Sequence, residues 1–161
     1  MNMLNAEPLN SDSFAPFGQV ISLNQSGVYR NDHAAELFNG ISQALPRLSS
    51  ARRLAATLPI SLTTLENHPF SSQTFIPTDL SRYVLAVCEK GESGKPDLLK
   101  IRAFVGTVSQ GVSYSPGVWH GPMTVIDRDG EYMALRWLAN DSRDNELFSL
   151  PKPVQIFVSG L

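Results

Sequence analysis

From position 52 onward the chain alternates short apolar or alternating runs with proline and glycine breaks. Residues 54–58, 60–68, 73–76, 83–88, 99–108, 118–126, 132–138 and 154–158 each carry the β-branched, aromatic or period-two pattern of a strand. Pro59, Pro69, Pro77, Gly91, Pro96, Gly111, Pro116 and Gly117 separate them, and Asp127-Arg128-Asp129-Gly130 reads as a hairpin turn. Before this block the pattern is sparser. Asn10 or Ser11 can cap a short helix ending at Phe17, with Gly18 as its stop, and residues 19–23 follow as a strand. Residues 33–48 form a second, weaker helical candidate, interrupted by Asn39-Gly40. The expectation is a mainly β fold, an antiparallel sandwich or barrel with one or two short helices near the N-terminus. A small barrel closed at one end is also a ready-made ligand pocket.

The composition narrows this picture by exclusion. With 161 residues, 42% of them hydrophobic, one domain spanning 1–161 is expected, and the 17% charged fraction is too low for a disordered chain. A formal net charge of -2 supplies no basic field for nucleic acid or anionic lipid. The single cysteine, Cys88, allows no intrachain disulfide and no four-cysteine zinc site. Neither a secretory signature nor an apolar run of about 18 residues is visible, so a cytoplasmic, non-membrane protein is expected.

Two of the three histidines sit in informative surroundings. In Thr64-Leu65-Glu66-Asn67-His68-Pro69, alternation puts Thr64, Glu66 and His68 on one face of a strand and Leu65 and Asn67 on the other. A carboxylate and an imidazole so placed make a metal half-site or an acid–base pair, and Gln73 can return to the same pocket after the Pro69 turn. The plain alternative is a solvent-facing polar strand ending in a surface histidine. The second histidine stands in Tyr114-Ser115-Pro116-Gly117-Val118-Trp119-His120, where the turn fixes the imidazole beside a large aromatic. There the alternative is a histidine that only caps the turn. His33 reads as a surface residue, Cys88 as a packing residue, and Phe104 and Trp137 as core. Arg52-Arg53 is too short for a nucleic-acid patch.

Taken together, Glu66-x-His68-x4-Gln73 and Pro116-Gly117-x2-His120 resemble the two ligand-bearing motifs of cupins, with two ligands changed in the first and one residue missing from the second. A closer resemblance covers most of the chain. Glu66-x-His68-Pro69-x4-Gln73-x-Phe75-x-Pro77, Lys95-Pro96-Asp97-Leu98, Ile101-Arg102-Ala103-Phe104, Gln110-Gly111-Val112-x-Tyr114 and Val118-Trp119-His120-x-Pro122 all resemble the ureidoglycolate lyase family. The opening Phe14-x2-Phe17-Gly18-x-Val20-Ile21 fits it as well.

The resemblance implies a cupin-like double-stranded barrel, a homodimer, and cleavage of ureidoglycolate to glyoxylate and urea in allantoin and purine catabolism. It places His68, His120 and Glu66 at the reaction centre, with Arg102, Tyr114 and Gln73 as substrate-binding candidates. A divalent metal, nickel among the family's attributions, would be held by His68, His120, Glu66 and Gln73, although a metal-free site fits this histidine-poor set too. The required chemistry is a base for the hydroxyl proton, an acid for the departing nitrogen and a cation for the carboxylate. His68 or His120 is the expected base, with Glu66 tuning an imidazole. Arg102 is the expected cation, unless alternation turns it outward. The chain departs from the family pattern at Gly121, at Arg136-Trp137 and across residues 29–40, which bears on substrate identity. Two other readings are a divergent cupin enzyme acting on a related α-hydroxy or α-keto acid, and a non-catalytic cupin that binds a small carboxylate.

Overall fold

A computed structural model describes residues 2–23, 26–33, 37–139 and 141–159. Its strands are β1 (Asn2–Asn5), β2 (Glu7–Pro8), β3 (Gly18–Ser22), β4 (Leu45–Arg53), β5 (Ile60–Asn67), β6 (Gln73–Asp79) and β7 (Arg82–Cys88). There follow β8 (Arg102–Thr107), β9 (Gln110–Tyr114), β10 (Trp119–His120), β11 (Thr124–Ile126), β12 (Gly130–Leu138) and β13 (Glu146–Phe157). The one α-helix among the described residues is α1 (Ser11–Phe14). Asn10 caps it, its side-chain oxygen accepting from the Ser13 amide at 2.9 Å.

The strands form two sheets. One runs β1-β13-β5-β10-β7-β8-β2, with β11 also on β7, and the other runs β3-β9-β6-β12-β4. All pairings are antiparallel except β1 on β13 and β2 on β8. The expected mainly β, cupin-like barrel is therefore present, with two parallel strands added at its N-terminus.

Strand β7 shows why the sequence folds this way. Its unbroken apolar run lies in the middle of a sheet that is buried on both faces. Tyr83, Leu85 and Val87 point into the core between the sheets with Phe14, Phe75, Phe104 and Tyr132. Val84, Ala86 and Cys88 point to a second core with Leu62, Leu65, Trp119 and Ile156. Cys88 is thus a packing residue, as expected. Its thiol donates to the Asp97 carbonyl at 2.9 Å, and burial pushes its pKa up to about 12. The thiolate, the form that attacks thiol reagents, is then scarce at pH 8. Cys88 is accordingly expected to resist Ellman's reagent in the folded protein and to react at once in guanidinium.

Several local expectations are corrected. Residues 33–48 contain no helix among the described positions; the chain enters β4 at Leu45, and Pro46, which lacks an amide proton, suits an edge strand and not a helix interior. Residues 54–58 are not a strand. Their amides are taken elsewhere, Ala55 donating to Asp129 Oδ1 and Ala56 to the Val125 carbonyl. Asp127–Gly130 is a turn but not a hairpin, because β11 and β12 lie in different sheets. The expected strand 118–126 is broken into β10 and β11, that at 99–108 starts only at Arg102, and that at 154–158 is the end of the longer β13. Gly18 opens β3 and does not stop the helix, which ends at Phe14.

Candidate active site

Three strands bring the predicted residues together. Glu66 near the end of β5 stands directly opposite His120 on β10 in the antiparallel ladder, so their side chains share the inward face. Leu65 packs in the second core and Asn67 bonds Glu146, so the alternation around Glu66 runs as the sequence indicates. Gln73 begins β6 in the facing sheet, opposite Tyr114 on β9, and reaches across the barrel. His68 follows β5 directly, at the turn before Pro69.

The two imidazoles are held in different hydrogen-bonding states. His120 has Nδ1 3.0 Å from the Val118 carbonyl, while Nε2 lies 2.8 Å from Gln73 Oε1 and 3.2 Å from Glu66 Oε1. Both nitrogens face oxygen acceptors, so the ring donates on both sides only as the doubly protonated imidazolium, while a neutral ring donates through one nitrogen. His68 directs Nδ1–H to the Asp144 carbonyl at 2.7 Å, which leaves the lone pair on Nε2. That atom is buried and has no partner among the described residues. Asp144 is itself fixed, its carboxylate accepting from the Phe70 amide at 2.7 Å and the Ser71 hydroxyl at 2.5 Å. The hydrogen bond from His120 lowers the pKa of Glu66 against the opposing effect of burial, and the charges of His120, His68 and Arg136 add to the lowering.

The reading of the β5 end as a solvent-facing strand with a surface histidine does not hold. His68 is 7% and His120 1% exposed, so neither is a surface residue. An open cavity of about 360 Å³ adjoins the cluster, with Glu66 and Gln73, the two neighbours of His120 Nε2, in its wall. Phe75, Met123 and Tyr132 supply the apolar part of that wall.

Tyr114 is next to the site but not on the cavity wall. Its ring stacks on His120 with centroids 4.2 Å apart and planes 17° apart, so it backs the imidazole and does not face a ligand. Arg102 is the clear displacement. Its side chain is on the inward face, but it makes a two-pronged bond to Glu7 at 2.9 Å and donates to the Ser13 carbonyl at 2.9 Å. It also lies 4.8 Å from the Phe104 ring centroid. A chain of ring contacts, Phe104 to Phe14 to Tyr114, stands between it and His120. Arg102 therefore straps β2 and α1 to β8. Arg102→Met is expected to cost about 1 kcal/mol, since the pair is partly solvent-screened, while KM stays at the wild-type value. Urea unfolding and steady-state kinetics check the two halves.

Sequence reasoning missed the cationic side of the cavity. Arg47 and Arg53 on β4 and Arg136 on β12 all line it. Arg136 had drawn notice only as a departure from the family pattern, and Arg47 had no distinguishing signal. Gly121, the other departure, is turned away from the cavity. A β-carbon there would stand 2.7 Å from Leu62 Cδ1 and 3.5 Å from Ala86 Cβ, both in the second core. It therefore has no part in reading a ligand. His33 is half-buried in a loop outside this cluster.

The donor set fits a divalent cation. Glu66, His68 and His120 each offer a ligating atom within 4.8 Å of the others, the orphaned His68 Nε2 has a lone pair to give, and Gln73 Oε1 supplies a fourth donor atom.

The chain is similar to several known proteins. A relative from Chelativorans sp. named ureidoglycolate lyase is 34% identical, the match covering 97% of this chain and 97% of the relative. Another of that name from Schizosaccharomyces pombe is 30% identical, covering 95% and 94%. Among solved structures, a dTDP sugar isomerase from Desulfovibrio desulfuricans G20 is similar at a TM-score of 0.47 and 13% identity, over 84% of this chain and 83% of that one. No described helix is long and apolar enough to cross a membrane. The sequence model of the ureidoglycolate lyase family matches residues 1–157, and with relatives at these identities over nearly their whole length the chain belongs to that family.

Proposed function

We propose that this chain cleaves ureidoglycolate into glyoxylate and urea by acid–base elimination at the His68–His120 pair. The observation that carries the reading is the unlike state of two neighbouring imidazoles, their ring centroids 5.6 Å apart. A ring whose Nε2 has no partner can accept a proton, and a ring whose Nε2 faces oxygen acceptors can hold one for delivery. His68 Nε2 takes the proton of the substrate hydroxyl. The oxygen's electrons close the carbonyl of glyoxylate and the carbon–nitrogen bond breaks. His120 Nε2–H protonates the departing urea nitrogen, with Glu66 stabilising the charged ring before transfer. Passage of one proton from His68 to His120 restores the site, so atoms and charge balance. The substrate reaches the rings by drawing the Gln73 amide away from His120.

A divalent metal, nickel in the family's attributions, would be held by Glu66, His68, His120 and Gln73; it would occupy both Nε2 atoms and so stand in place of the imidazole acid–base pair, acting as a Lewis acid that makes the substrate hydroxyl more acidic. The protein is further proposed to work as a cytoplasmic homodimer in allantoin degradation.

The test gives purified protein freshly made ureidoglycolate, with and without chelator, and follows glyoxylate above the spontaneous rate. Acceleration in either condition supports the assignment. No acceleration in both removes it.

A further inference from the structure

The cavity carries more positive charge than the acid–base groups explain. Arg47 and Arg136 are direct partners in the β4–β12 ladder, and both side chains line the cavity. Like charges opposite each other on one sheet face destabilise it. Neither guanidinium has an ion-pair or hydrogen-bond partner among the described residues, whereas the other arginine of this wall, Arg53, donates to the Arg52 carbonyl and lies 5.8 Å from the Tyr132 ring centroid. The charge of Arg136 is felt at Glu66, so the pair borders the reactive end of the cavity. Two planar, permanently charged donor groups converging on an open space suit a carboxylate, which a guanidinium grips through two parallel hydrogen bonds.

We propose that Arg47 and Arg136 together clamp the carboxylate of the substrate, the task that the sequence had suggested for Arg102. The proposal rests on the ureidoglycolate reading of the site. It makes the pair specificity-determining: an anion docked on β4 and β12 leaves its hydroxyl-bearing carbon toward Glu66 and the two imidazoles. A ureido compound without the carboxylate loses this anchor.

Binding of oxalurate and of its neutral amide, oxaluramide, tests the clamp without turnover. Oxalurate has a carbonyl where ureidoglycolate has its hydroxyl-bearing carbon, so it cannot undergo the elimination. Titration calorimetry on the wild-type protein is expected to show oxalurate binding about 10- to 100-fold more tightly than oxaluramide, the range of charge-assisted hydrogen bonds. Arg47→Gln and Arg136→Gln should each erase most of that preference while leaving oxaluramide affinity unchanged, and Arg102→Met should keep it. Equal affinity of the wild type for the two compounds, or equal weakening of both compounds in the glutamine variants, overturns the clamp. Thermal melting of the free variants separates misfolding from lost binding, since removing one of two facing like charges should not lower the midpoint. Turnover is measured apart from this: a wild type that discriminates the two compounds but does not cleave ureidoglycolate retains the clamp and loses the lyase reading.

Discussion

Replacing His120 by alanine is expected to lower kcat/KM on ureidoglycolate by roughly 10²- to 10⁴-fold, the usual contribution of a positioned acid or base. The size follows from what the ring touches. His120 Nε2 is the hydrogen-bonding hub between Gln73 of one sheet and Glu66 of the other, and its Nδ1 is anchored to the Val118 carbonyl. Alanine removes the proton donor and leaves the Glu66 carboxylate without the hydrogen bond that contributes most to lowering its pKa. His120→Gln separates the two effects. Glutamine can still donate to Glu66, but it cannot deliver a proton to a departing nitrogen, so it should be nearly as inactive as alanine. A glutamine variant within about threefold of wild type would assign His120 a structural role instead. His68→Ala is expected to fall in the same range through loss of the base, and the double variant should be little worse than either single one, because residues that act as a unit are not additive.

The largest effect on stability is expected at Gly18. Its φ of +144° lies where L side chains are strained, and a β-carbon there would stand 2.0 Å from the Ser113 carbonyl oxygen. That oxygen belongs to β9, whose ladder with β3 pairs Gly18 with Tyr114. The backbone cannot retreat without breaking this ladder. Backbone strain and overpacking each cost about 1–3 kcal/mol, so Gly18→Ala should lose about 3–4 kcal/mol in urea unfolding. The effect also reaches the site, because Tyr114 backs the His120 ring. The variant that remains folded should therefore show a reduced kcat, whereas Gly117→Ala, with no atom near its β-carbon position and a φ of +84°, should lose less stability.

What the sequence revealed and what it hid follow from burial. Strands β5, β6 and β7 were legible because their residues alternate or run apolar against a core, and the Glu66, His68, Gln73 and His120 motifs sit at strand ends that this core fixes. Strand β4 was not legible. It is an edge strand with most of its side chains exposed, including Leu45 and Leu48, so no apolar face marks it. The same edge carries Arg47, which is why half of the proposed clamp escaped notice. Arg102 was misjudged for a different reason. Period two correctly turned it inward, but period says nothing about depth along the barrel, and the aromatic layer around Phe104 and Phe14 fills the space before His120. The hydrogen-bonding states of the two imidazoles depend on main-chain carbonyls of Asp144 and Val118, and motif spacing does not reveal such contacts.

The central claim is elimination at the carbon–nitrogen bond by this pair of imidazoles. It is tested most directly by the nitrogen product formed from ureidoglycolate. Elimination releases one intact urea for each glyoxylate and no ammonia, and the yield should collapse in His68→Ala and His120→Ala. Ammonia formed in step with glyoxylate would instead mean hydrolysis of the ureido group and would contradict the account.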